Sequence, residues 1–440
     1  MKIPRALSFT FGSYKIHARR SMVSFTYIVE FKYGIKKTFT DRLYFKDVPR
    51  EAWDTVPQAV LEPTLRALLI MLGINYWCIF PTNDIRIKDF ALTRDEADFW
   101  NALYLNGLGE FFYDMKMDFR GLISFPYDES AVAPEPARLT ARPSRALLLN
   151  GAGKDSILSA EMLKEAGTPF DFFAFAPTPA HRRVAKLVGA RTISVTRRRD
   201  KWATEIAEWF GVSNAYPSVS TFTFVAVLLA ELLGYDSIVF SNERSADFGN
   251  LEYLGLGVNH QWCKSSEAER MTNDYIRRYI TPDISTVSLL RRFSELEIVR
   301  RFAQHQKYLR TVTSCNTYFW LTTPERLLYG MPYWCKRCPK CVFLFACFAA
   351  YLPKKDVVGM FGADLFARPK LIPLVRRILG TEGFKPLDCV GEPEEMILAM
   401  HYASVRGEYA GEPAMQAFEE LFPAGYDFAK LEAGVFNTNN

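Results

Sequence analysis

Residues 145–156 have the sequence Arg-Ala-Leu-Leu-Leu-Asn-Gly-Ala-Gly-Lys-Asp-Ser, and they decide the fold of the chain around them. A short apolar segment ends in a turn of small residues, and a helical pattern follows at 157–165. This order predicts a strand, a tight loop and the first turn of a helix. Backbone N–H groups at such a helix start, together with the helix dipole, favour a phosphate group. We expect Gly151 and Gly153 to approach an anion with positive φ, and Lys154 to supply a mobile positive charge.

The composition is that of a soluble globular protein, with 49% hydrophobic and 23% charged residues. A chain of 440 residues exceeds one ordinary core, so two or three domains are expected. The net charge of +5 does not indicate a nucleic-acid partner, but it would suit an anionic small substrate. The longest apolar stretches fall short of the ~20 residues of a membrane span, and the N-terminus has no signal-like segment. We therefore expect a cytoplasmic protein with no membrane partner, whose eight cysteines are reduced.

Residues 1–140 are expected to form a β-rich N-terminal domain with helices. Period-2 patterning over residues 1–50, interrupted at Tyr33-Gly34, predicts antiparallel strands with a hairpin. Helical patterns follow at 58–77 and 92–104. A linker between 126 and 144 is indicated by four prolines, namely Pro126, Pro134, Pro136 and Pro143.

From residue 145 to 345 the pattern changes to alternating strands and helices, which predicts an α/β core with a parallel sheet covered on both faces. The predicted strands are 146–150, 170–176, 191–196 and 237–241, and the predicted helices are 156–166, 180–188, 200–210 and 220–234. Ligands of such sheets lie beyond the C-terminal ends of the strands, where the loops 150–156 and 242–247 are expected. Residues 263–310 are predicted to be helical, and 346–440 to form a small helical C-terminal region.

The loop at 150–156 matches neither of two common phosphate-binding signatures, because a Walker loop needs Gly-x4-Gly-Lys-Ser/Thr and a dinucleotide fingerprint needs Gly-x-Gly-x-x-Gly. It instead resembles the Ser-Gly-Gly-x-Asp-Ser signature of the PP-loop ATP pyrophosphatases, with Gly151 and Ala152 in place of its Ser and first Gly. The resemblance implies a Rossmann-like (HUP-like) fold that binds ATP and Mg²⁺. The nucleotide-binding residues it implies are Asn150, Gly151, Ala152, Gly153, Lys154, Asp155 and Ser156. The alternative is an ordinary strand-to-helix turn capped by Asp155.

Cys335, Cys338 and Cys341 are spaced Cys-x2-Cys-x2-Cys, which lets thiolates converge on one metal ion. A tetrahedral zinc site needs a fourth ligand, for which Cys315, Cys347 and a histidine are candidates. Cys315 follows a serine, and a Ser-Cys upstream of such a cluster resembles the zinc site of the 7-cyano-7-deazaguanine synthases, which are PP-loop enzymes. The resemblance implies a structural Zn²⁺ site formed by Cys315, Cys335, Cys338 and Cys341. The same ligands would suit an iron–sulfur cluster, and free thiols are the remaining alternative.

Two further segments are similar to those of MurL-type enzymes, the UDP-N-acetylmuramoyl-L-alanyl-L-glutamate epimerases of bacterial peptidoglycan synthesis. They are residues 242–246, Asn-Glu-Arg-Ser-Ala, and residues 259–267, Asn-His-Gln-Trp-Cys-Lys-Ser-Ser-Glu. The likeness extends to the N-terminal region, the 145–345 core and a C-terminal part with Cys389-Val-Gly, so it spans most of the chain. It implies an ATP-dependent epimerase. Such an enzyme turns the terminal L-glutamate of a small UDP-linked muramoyl dipeptide into D-glutamate through an acyl-adenylate.

No motif identifies the catalytic residues that would move the α-proton. His260 is the leading candidate, because an imidazole titrates near neutral pH and its neighbours are polar; a surface-loop histidine is the alternative. Glu243 would be the complementary base, unless it forms a salt bridge with Arg244. Arg244 or Lys264 would hold the substrate carboxylates or the AMP phosphate, unless both are solvated. Residues 197–199, three arginines, would suit the UDP diphosphate, although a run of charges is usually a solvated face.

Two other classes of function remain open. Another PP-loop enzyme would adenylate its substrate and let ammonia or a sulfur carrier attack, as in 7-cyano-7-deazaguanine-type amide or nitrile formation or tRNA base modification. A tRNA substrate predicts a strongly basic surface, which a net charge of +5 does not supply. The non-catalytic alternative is a degenerate nucleotide-binding module with a zinc knob, because Gly151 and Ala152 depart from the PP-loop signature.

Overall fold

The structure is a computed structural model that describes residues 5–133, 135–139, 144–320, 323–328 and 333–436. Its central feature is a nine-stranded sheet with a parallel and an antiparallel half. Along the chain the strands are β1 Ser8–His17, β2 Met22–Glu30, β3 Lys36–Phe45, β4 Ile85–Ile87, β5 Ala146–Leu149, β6 Phe170–Phe175, β7 Thr192–Arg198, β8 Ser237–Phe240, β9 Leu251–Tyr253, β10 Leu256–Val258 and β11 Ser285–Ser288. The large sheet has the order β11-β8-β5-β6-β7-β3-β2-β1-β4, and β9 and β10 form a separate pair.

Helices connect the parallel strands and cover the sheet. They are α1 Arg50–Thr55, α2 Gln58–Trp77, α3 Arg94–Gly107, α4 Gly109–Asp114, α5 Lys154–Glu165, α6 Pro179–Val188, α7 Lys201–Trp209, α8 Ser218–Leu233, α9 Ser266–Tyr275, α10 Glu295–Phe302, α11 Asn316–Trp320, α12 Thr323–Leu328, α13 Pro339–Ala349, α14 Lys354–Phe361, α15 Ile372–Ile378, α16 Pro393–Val405, α17 Pro413–Leu421 and α18 Phe428–Phe436. The strands β11, β8, β5, β6 and β7 are mutually parallel, which confirms the predicted α/β core. Because β6 and β8 flank β5 on opposite sides, the strand order reverses at β5, and a crevice is expected at its C-terminal end.

Alternate residues of β5 face two separate hydrophobic cores. Leu147 packs in the core that contains α2, α3 and α8, whereas Ala146 and Leu148 pack in the core that contains α5, α6, α13 and α16. Among the described helices, α2 alone has the length and apolar composition of a membrane span, and 78% of its most apolar window is buried inside the fold. Its environment is that of a core helix, as expected from the sequence.

The N-terminal strands continue the same sheet. β2 and β3 form the antiparallel hairpin predicted at Tyr33-Gly34, and β3 then pairs antiparallel with β7. The predicted boundary near residue 140 thus separates two stretches of chain whose strands share one sheet. Residue 140, Pro134 and Pro143 lie outside the described residues, and the division into domains stays a prediction.

A buried ion pair joins the two halves of the sheet. Arg197 on β7 contacts the carboxylate of Asp41 on β3 at 2.5 Å, and its Nη1 donates to the side-chain oxygen of Asn75 in α2 at 2.6 Å. The Arg197 side chain is only 12% exposed. The guanidinium is therefore a structural element of the strand junction, and the suggestion that Arg197 meets a UDP diphosphate is wrong.

The prediction of helix throughout 263–310 is partly wrong. After α9 and a π-helical turn at Ile276–Ile280, the chain forms β11, which pairs in parallel with β8 at the edge of the sheet. The sequence of β11, Ser-Thr-Val-Ser, is short and polar, so it carries little of the hydrophobic signal that identifies a strand. The described C-terminal region contains the short helices α14 to α18, as predicted.

Candidate active site

The loop after β5 is organised by the side chain of Asn150. Its Oδ1 accepts a hydrogen bond from the Ala152 N–H at 2.9 Å, and its Nδ2 donates to the carbonyl oxygen of His181 at 3.2 Å. Asn150 is nearly fully buried. The loop is therefore held in one conformation by a residue that belongs to the predicted nucleotide-binding segment.

The left-handed residue of this loop is Ala152, and neither glycine adopts positive φ. Ala152 has a φ of +56°, whereas Gly153 has a φ of −107° and Gly151 is not among the glycines with positive φ. The expectation for the two glycines is thus wrong. Ala152 occupies the position of a Gly in the PP-loop signature, and glycine adopts such a conformation without steric cost. A larger residue at position 153 would be crowded, because its Cβ would lie 2.8 Å from the Ser314 hydroxyl oxygen.

Helix α5 begins at Lys154, two residues before the predicted start, with Gly153 as its N-cap. Asp155 therefore lies inside the first turn, and the alternative in which Asp155 caps the helix is wrong. No side chain in the described structure caps this end of α5, and the Ser156 hydroxyl donates to the Gly153 carbonyl at 3.1 Å. The first-turn N–H groups, with the positive end of the helix dipole, are thus left to serve an anionic ligand.

Lys154 is buried and paired, contrary to the expectation of a mobile charge. Its side chain is 1% exposed, and its ammonium group contacts the carboxylates of Asp155 and Glu295. The ammonium group of Lys340 contacts the other carboxylate oxygen of Glu295 at 2.7 Å. Burial alone would lower the pKa of Lys154, but the carboxylates outweigh it and raise that pKa, so the ammonium stays charged. Burial opposes the charge on Glu295 as well, yet the two ammonium groups lower the pKa of its carboxyl.

A cavity of about 190 Å³, the loop cavity, opens beside this cluster at the C-terminal ends of β5 and β8. Its walls combine the loop 150–156 with the segment 241–243, so the two loops meet at the edge of the sheet as predicted. The polar residues that line it are Asp155, Ser156, Ser241, Asn242, Glu243, Lys264, Glu295, Ser314, Asn316 and Lys340. The cavity therefore brings a helix N-terminus, two lysines and several carboxylates to one place.

A second cavity of about 220 Å³, the histidine cavity, adjoins the first. It contains His260 and Glu110, and it shares three lining residues with the loop cavity, namely Lys264, Asn316 and Cys389. The two cavities are thus adjacent, and these three side chains form part of the wall between them.

His260 is a partly buried residue with two polar partners rather than a surface-loop histidine. Its Nδ1 lies 2.5 Å from the Glu110 carboxylate, and a ring nitrogen lies within 4.8 Å of the Cys389 sulfur. Burial would lower the pKa of His260, but Cys389 and Glu110 raise it well above its ordinary value. These contacts therefore favour the protonated form of His260, which suits a proton donor.

The other three candidate residues are placed differently. Lys264 lines both cavities, and its ammonium donates to the Gln261 side chain at 3.1 Å and lies 3.4 Å from the Cys389 sulfur. Glu243 is buried and lines the loop cavity. Arg244 belongs to neither cavity: its guanidinium donates to the carbonyl of Val435 in α18 at 2.7 Å. His260, Lys264 and Glu243 are thus brought together, and Arg244 is not.

The four predicted metal ligands also converge. The sulfur atoms of Cys315, Cys335, Cys338 and Cys341 all lie within 4.8 Å of one another. Cys335 and Cys341 have a sulfur–sulfur distance of 3.7 Å. A tetrahedral ion with Zn–S bonds of about 2.3 Å has edges of about 3.8 Å, so this donor set fits one metal ion. The structure thereby selects Cys315 as the fourth member and places Cys347 elsewhere, inside the apolar helix α13.

The cysteine cluster is connected to the wall between the cavities. Asn316, next to Cys315, donates from its side chain to the Asp388 carboxylate, and the backbone N–H of Lys340 donates to the same carboxylate at 3.4 Å. Asp388 precedes Cys389, whose N–H it also accepts at 2.7 Å. A metal ion in the cluster would therefore support residues of both cavities without being exposed to them.

Four residues of the site were not identified from the sequence: Lys340, Glu295, Glu110 and Cys389. In the sequence, Lys340 stands between two of the predicted metal ligands, and Glu295 lies in a charged segment with an ordinary helical pattern. Glu110 lies in the short helix α4, where no pattern distinguishes it. In the sequence, Cys389 belongs only to a segment that resembles the MurL-type enzymes, yet in the structure it lines both cavities. A lone cysteine carries no spacing signal, so only the fold could reveal it.

Family models match nearly the whole chain. One described as the MurL N-terminal domain matches residues 1–289, and one described as the MurL C-terminal domain matches residues 311–432. A curated protein of Micromonospora sp. named UDP-N-acetyl-alpha-D-muramoyl-L-alanyl-L-glutamate epimerase is 31% identical, covering 99% of this chain and 95% of its own. Proteins of the same name from Xanthomonas oryzae pv. oryzae and Salinispora tropica are 32% and 29% identical, covering 81% and 96% of this chain and 78% and 90% of their own.

Among solved structures, one described as a predicted subunit of tRNA methyltransferase from Methanocaldococcus jannaschii covers 37% of this chain and 75% of its own. Its TM-score is 0.25 and its sequence identity 18%, so the likeness carries no argument about function.

Proposed function

The chain belongs to the MurL family, and on that basis we propose that it is an ATP-dependent epimerase of UDP-N-acetylmuramoyl-L-alanyl-L-glutamate. The reaction inverts the terminal L-glutamate to D-glutamate and so supplies a precursor of peptidoglycan. The observation that carries the proposal is the pair of adjoining cavities, one at a phosphate-type loop and one at a partly buried histidine, in a chain with epimerase relatives of similar length. The cytoplasm, where ATP is available and thiols stay reduced, is the proposed compartment.

Chemistry explains why an epimerase would need ATP. The α-proton of a carboxylate is barely acidic, because its removal would place a second negative charge beside the first. Transfer of AMP to the carboxylate gives a neutral acyl group, and the carbanion formed from it is stabilised as an enolate. A positioned acid and base can then exchange the proton between the two faces. Water finally releases AMP and restores the acid with inverted configuration.

The loop cavity is the proposed nucleotide site. The predicted segment Asn150 to Ser156 supplies first-turn N–H groups for a phosphate, and Lys154 with Lys340 holds positive charge beside them. Mg²⁺, when bound, would balance phosphate charge, and Asp155 offers an oxygen ligand of the kind that this ion prefers in the same cavity.

The histidine cavity is the proposed site of the glutamyl group. His260 serves as the acid that returns a proton to the α-carbon, because its imidazolium is held charged by Glu110. Glu243, across the shared wall, is the proposed base on the other face, and Lys264 stabilises negative charge on the substrate carboxylates or the enolate. Arg244 has no part in this arrangement, because its guanidinium is occupied by α18. The four cysteines are proposed to hold a structural Zn²⁺, since a fourfold thiolate site leaves no open position.

One incubation tests the function. The protein is mixed with ATP, Mg²⁺ and the L-Ala-L-Glu muramoyl nucleotide in deuterated water, and the products are examined by mass spectrometry and chiral analysis of the glutamate. Formation of AMP and pyrophosphate with deuterium at the glutamate α-carbon is expected. Cleavage of ATP without α-exchange would instead favour another PP-loop reaction, and ATP binding without pyrophosphate release would favour a nucleotide-binding module.

A further inference from the structure

Cys389, His260 and Glu110 form a chain of polar contacts at the wall between the two cavities. They come from three separate segments: the C-terminal region, the loop after β10 and the short helix α4. The Cys389 sulfur lies within 4.8 Å of a ring nitrogen of His260, and His260 Nδ1 lies 2.5 Å from the Glu110 carboxylate. Lys264 adds a second cation, with its Nζ 3.4 Å from the sulfur.

This is the geometry of an activated nucleophile. A thiol becomes nucleophilic as a thiolate, and a neighbouring imidazole with a third group that orients it is the arrangement that generates one. Here the third group is Glu110, and Lys264 stabilises the sulfur anion independently. The sulfur also lines both cavities, so it can reach a carboxyl group activated in the loop cavity.

We propose that Cys389 is a covalent nucleophile that receives the activated glutamyl carboxyl group as a thioester, an inference that rests on the function proposed above. The sulfur forms a bond to the carboxyl carbon of the acyl-adenylate. The carbon–oxygen bond to the AMP phosphate breaks, and AMP departs with the electron pair. Sulfur donates less electron density to a carbonyl than oxygen does, so the α-proton of the thioester is more acidic than that of an ester, and inversion takes place on the thioester.

Hydrolysis closes the cycle with all atoms accounted for. The α-proton exchange leaves His260 neutral, because its proton now lies on the α-carbon, and leaves Glu243 protonated. Glu243 releases this proton to solvent. Water then adds its hydroxyl group to the carbonyl carbon, and His260 takes the remaining proton. The carbon–sulfur bond breaks with its electron pair returning to sulfur, which regenerates the thiolate and imidazolium. The net change is acyl-adenylate and water to free acid, AMP and one proton.

A metal site at the same residues is the competing explanation. His260, Asp388 and Cys389 have ligand atoms within 4.8 Å of one another. The Asp388 carboxylate, however, already accepts hydrogen bonds from the Asn316 side chain and from the backbone N–H groups of Cys389 and Lys340. Only His260 and Cys389 would then remain as metal ligands, and two ligands make a poor metal site. The same two residues are sufficient for a thiol–imidazole pair.

The test traps the thioester and separates the half-reactions. Full-length wild-type protein is mixed with ATP, Mg²⁺ and the muramoyl dipeptide nucleotide, quenched with acid at a series of times and weighed by intact-protein mass spectrometry. An added mass equal to the substrate less water is expected, mapped to Cys389 by peptide analysis. Cys78→Ala, which removes a buried thiol of the N-terminal core, is the matched control and is expected to keep the adduct.

Cys389→Ala and Cys389→Ser are expected to keep substrate-dependent exchange of pyrophosphate into ATP, which reports adenylation and an intact fold. They should lose AMP release and α-deuterium incorporation by at least a hundredfold. AMP release near the wild-type rate in either variant, with or without α-exchange, would overturn the proposal, because sulfur would then have no covalent role. A loss of bound metal in these variants would overturn it in favour of a metal site. Absence of AMP and pyrophosphate with wild type would refute the proposed function itself.

Discussion

The ammonium group of Lys154, in the first turn of α5, forms a buried ion pair with the carboxylate of Glu295, 141 residues further along the chain. Lys340 pairs with the other carboxylate oxygen at 2.7 Å. One carboxylate therefore holds together the phosphate-type loop, the helix α10 and the segment of the metal-ligand cysteines. With Asp155, which also contacts Lys154, the cluster holds two ammonium groups and two carboxylates beside the loop cavity.

Replacing Glu295 by Gln should destabilise the protein strongly. The change leaves two buried ammonium groups facing each other without their shared counter-charge, and breaking a buried pair in this way costs about 3–5 kcal/mol. Urea unfolding of Glu295→Gln measures the loss of free energy. Glu62→Gln, which removes the partly exposed partner of Arg66, is the control and should cost under about 1 kcal/mol. Equal losses in the two variants would contradict the role given to Glu295.

Replacing Ala152 by Gly should stabilise the protein. Ala152 is held at a φ of +56°, a conformation that costs an L-residue about 1–2 kcal/mol and costs glycine nothing. A gain of about 1 kcal/mol is expected in thermal or urea unfolding. The matched control is Ala160→Gly inside α5, which should lose about 1 kcal/mol. If both variants lost stability alike, the strain at Ala152 would be disproved.

Replacing Cys338 by Ser should remove bound metal. Elemental analysis is expected to find one zinc per wild-type chain, and close to none in Cys338→Ser, because three thiolates bind far more weakly than four. Cys347→Ala, which removes a buried thiol of α13, should keep its metal. An unchanged zinc content in Cys338→Ser would refute the proposed metal site. Visible absorption typical of iron–sulfur clusters in the wild-type protein would show that the four cysteines hold such a cluster instead of zinc.

The reactivity of Cys389 should depend on pH with a midpoint near 7. Burial raises the pKa of its thiol, but the charges of Lys264 and His260, with that of Lys340, outweigh it and lower the pKa to about 7. Only the thiolate reacts, so the rate of iodoacetamide alkylation should rise with pH and reach half its maximum near pH 7. Peptide mass spectrometry follows the modified residue.

The same measurement on variants tests the cause of that midpoint. In Lys264→Met the midpoint should move upward, toward the value of about 8.5 for a free cysteine, because the nearest cation is gone. Lys201→Met removes a lysine that is 91% exposed and should leave the midpoint unchanged. A wild-type midpoint near 8.5 that Lys264→Met does not move would contradict the electrostatic environment described here.

Replacing Asp41 by Asn should weaken the junction between the two halves of the sheet. Asp41 is fully buried against Arg197, and its loss leaves a buried guanidinium with only neutral acceptors. A destabilisation of about 3–5 kcal/mol is expected in urea unfolding. Asp54→Asn, in an exposed pair with Arg50, should change stability by under about 1 kcal/mol. A small effect at Asp41 would indicate that the two halves are held by strand pairing alone.

Local patterns in the sequence were enough to predict much of the fold. The segment 145–156 predicted its strand, loop and helix, because hydrophobic periodicity and turn residues act over a few positions. The spacing of Cys335, Cys338 and Cys341 likewise predicted a convergent cluster, since all three lie on one short stretch of chain. The pairing of β3 with β7 could not be predicted, because strand partners distant in the chain leave no mark on either segment.

The sequence by itself thus determined the strand–loop–helix segment, the order of the α/β elements and the triplet of cysteines. Only the tertiary structure decided that Lys154 is buried against Glu295, that Arg244 turns away from both cavities and that Cys389 lies beside His260 and Lys264. The physical reason is the range of the forces involved. Periodicity and capping are properties of neighbouring residues, whereas the charge state of a side chain depends on groups that folding brings from distant segments.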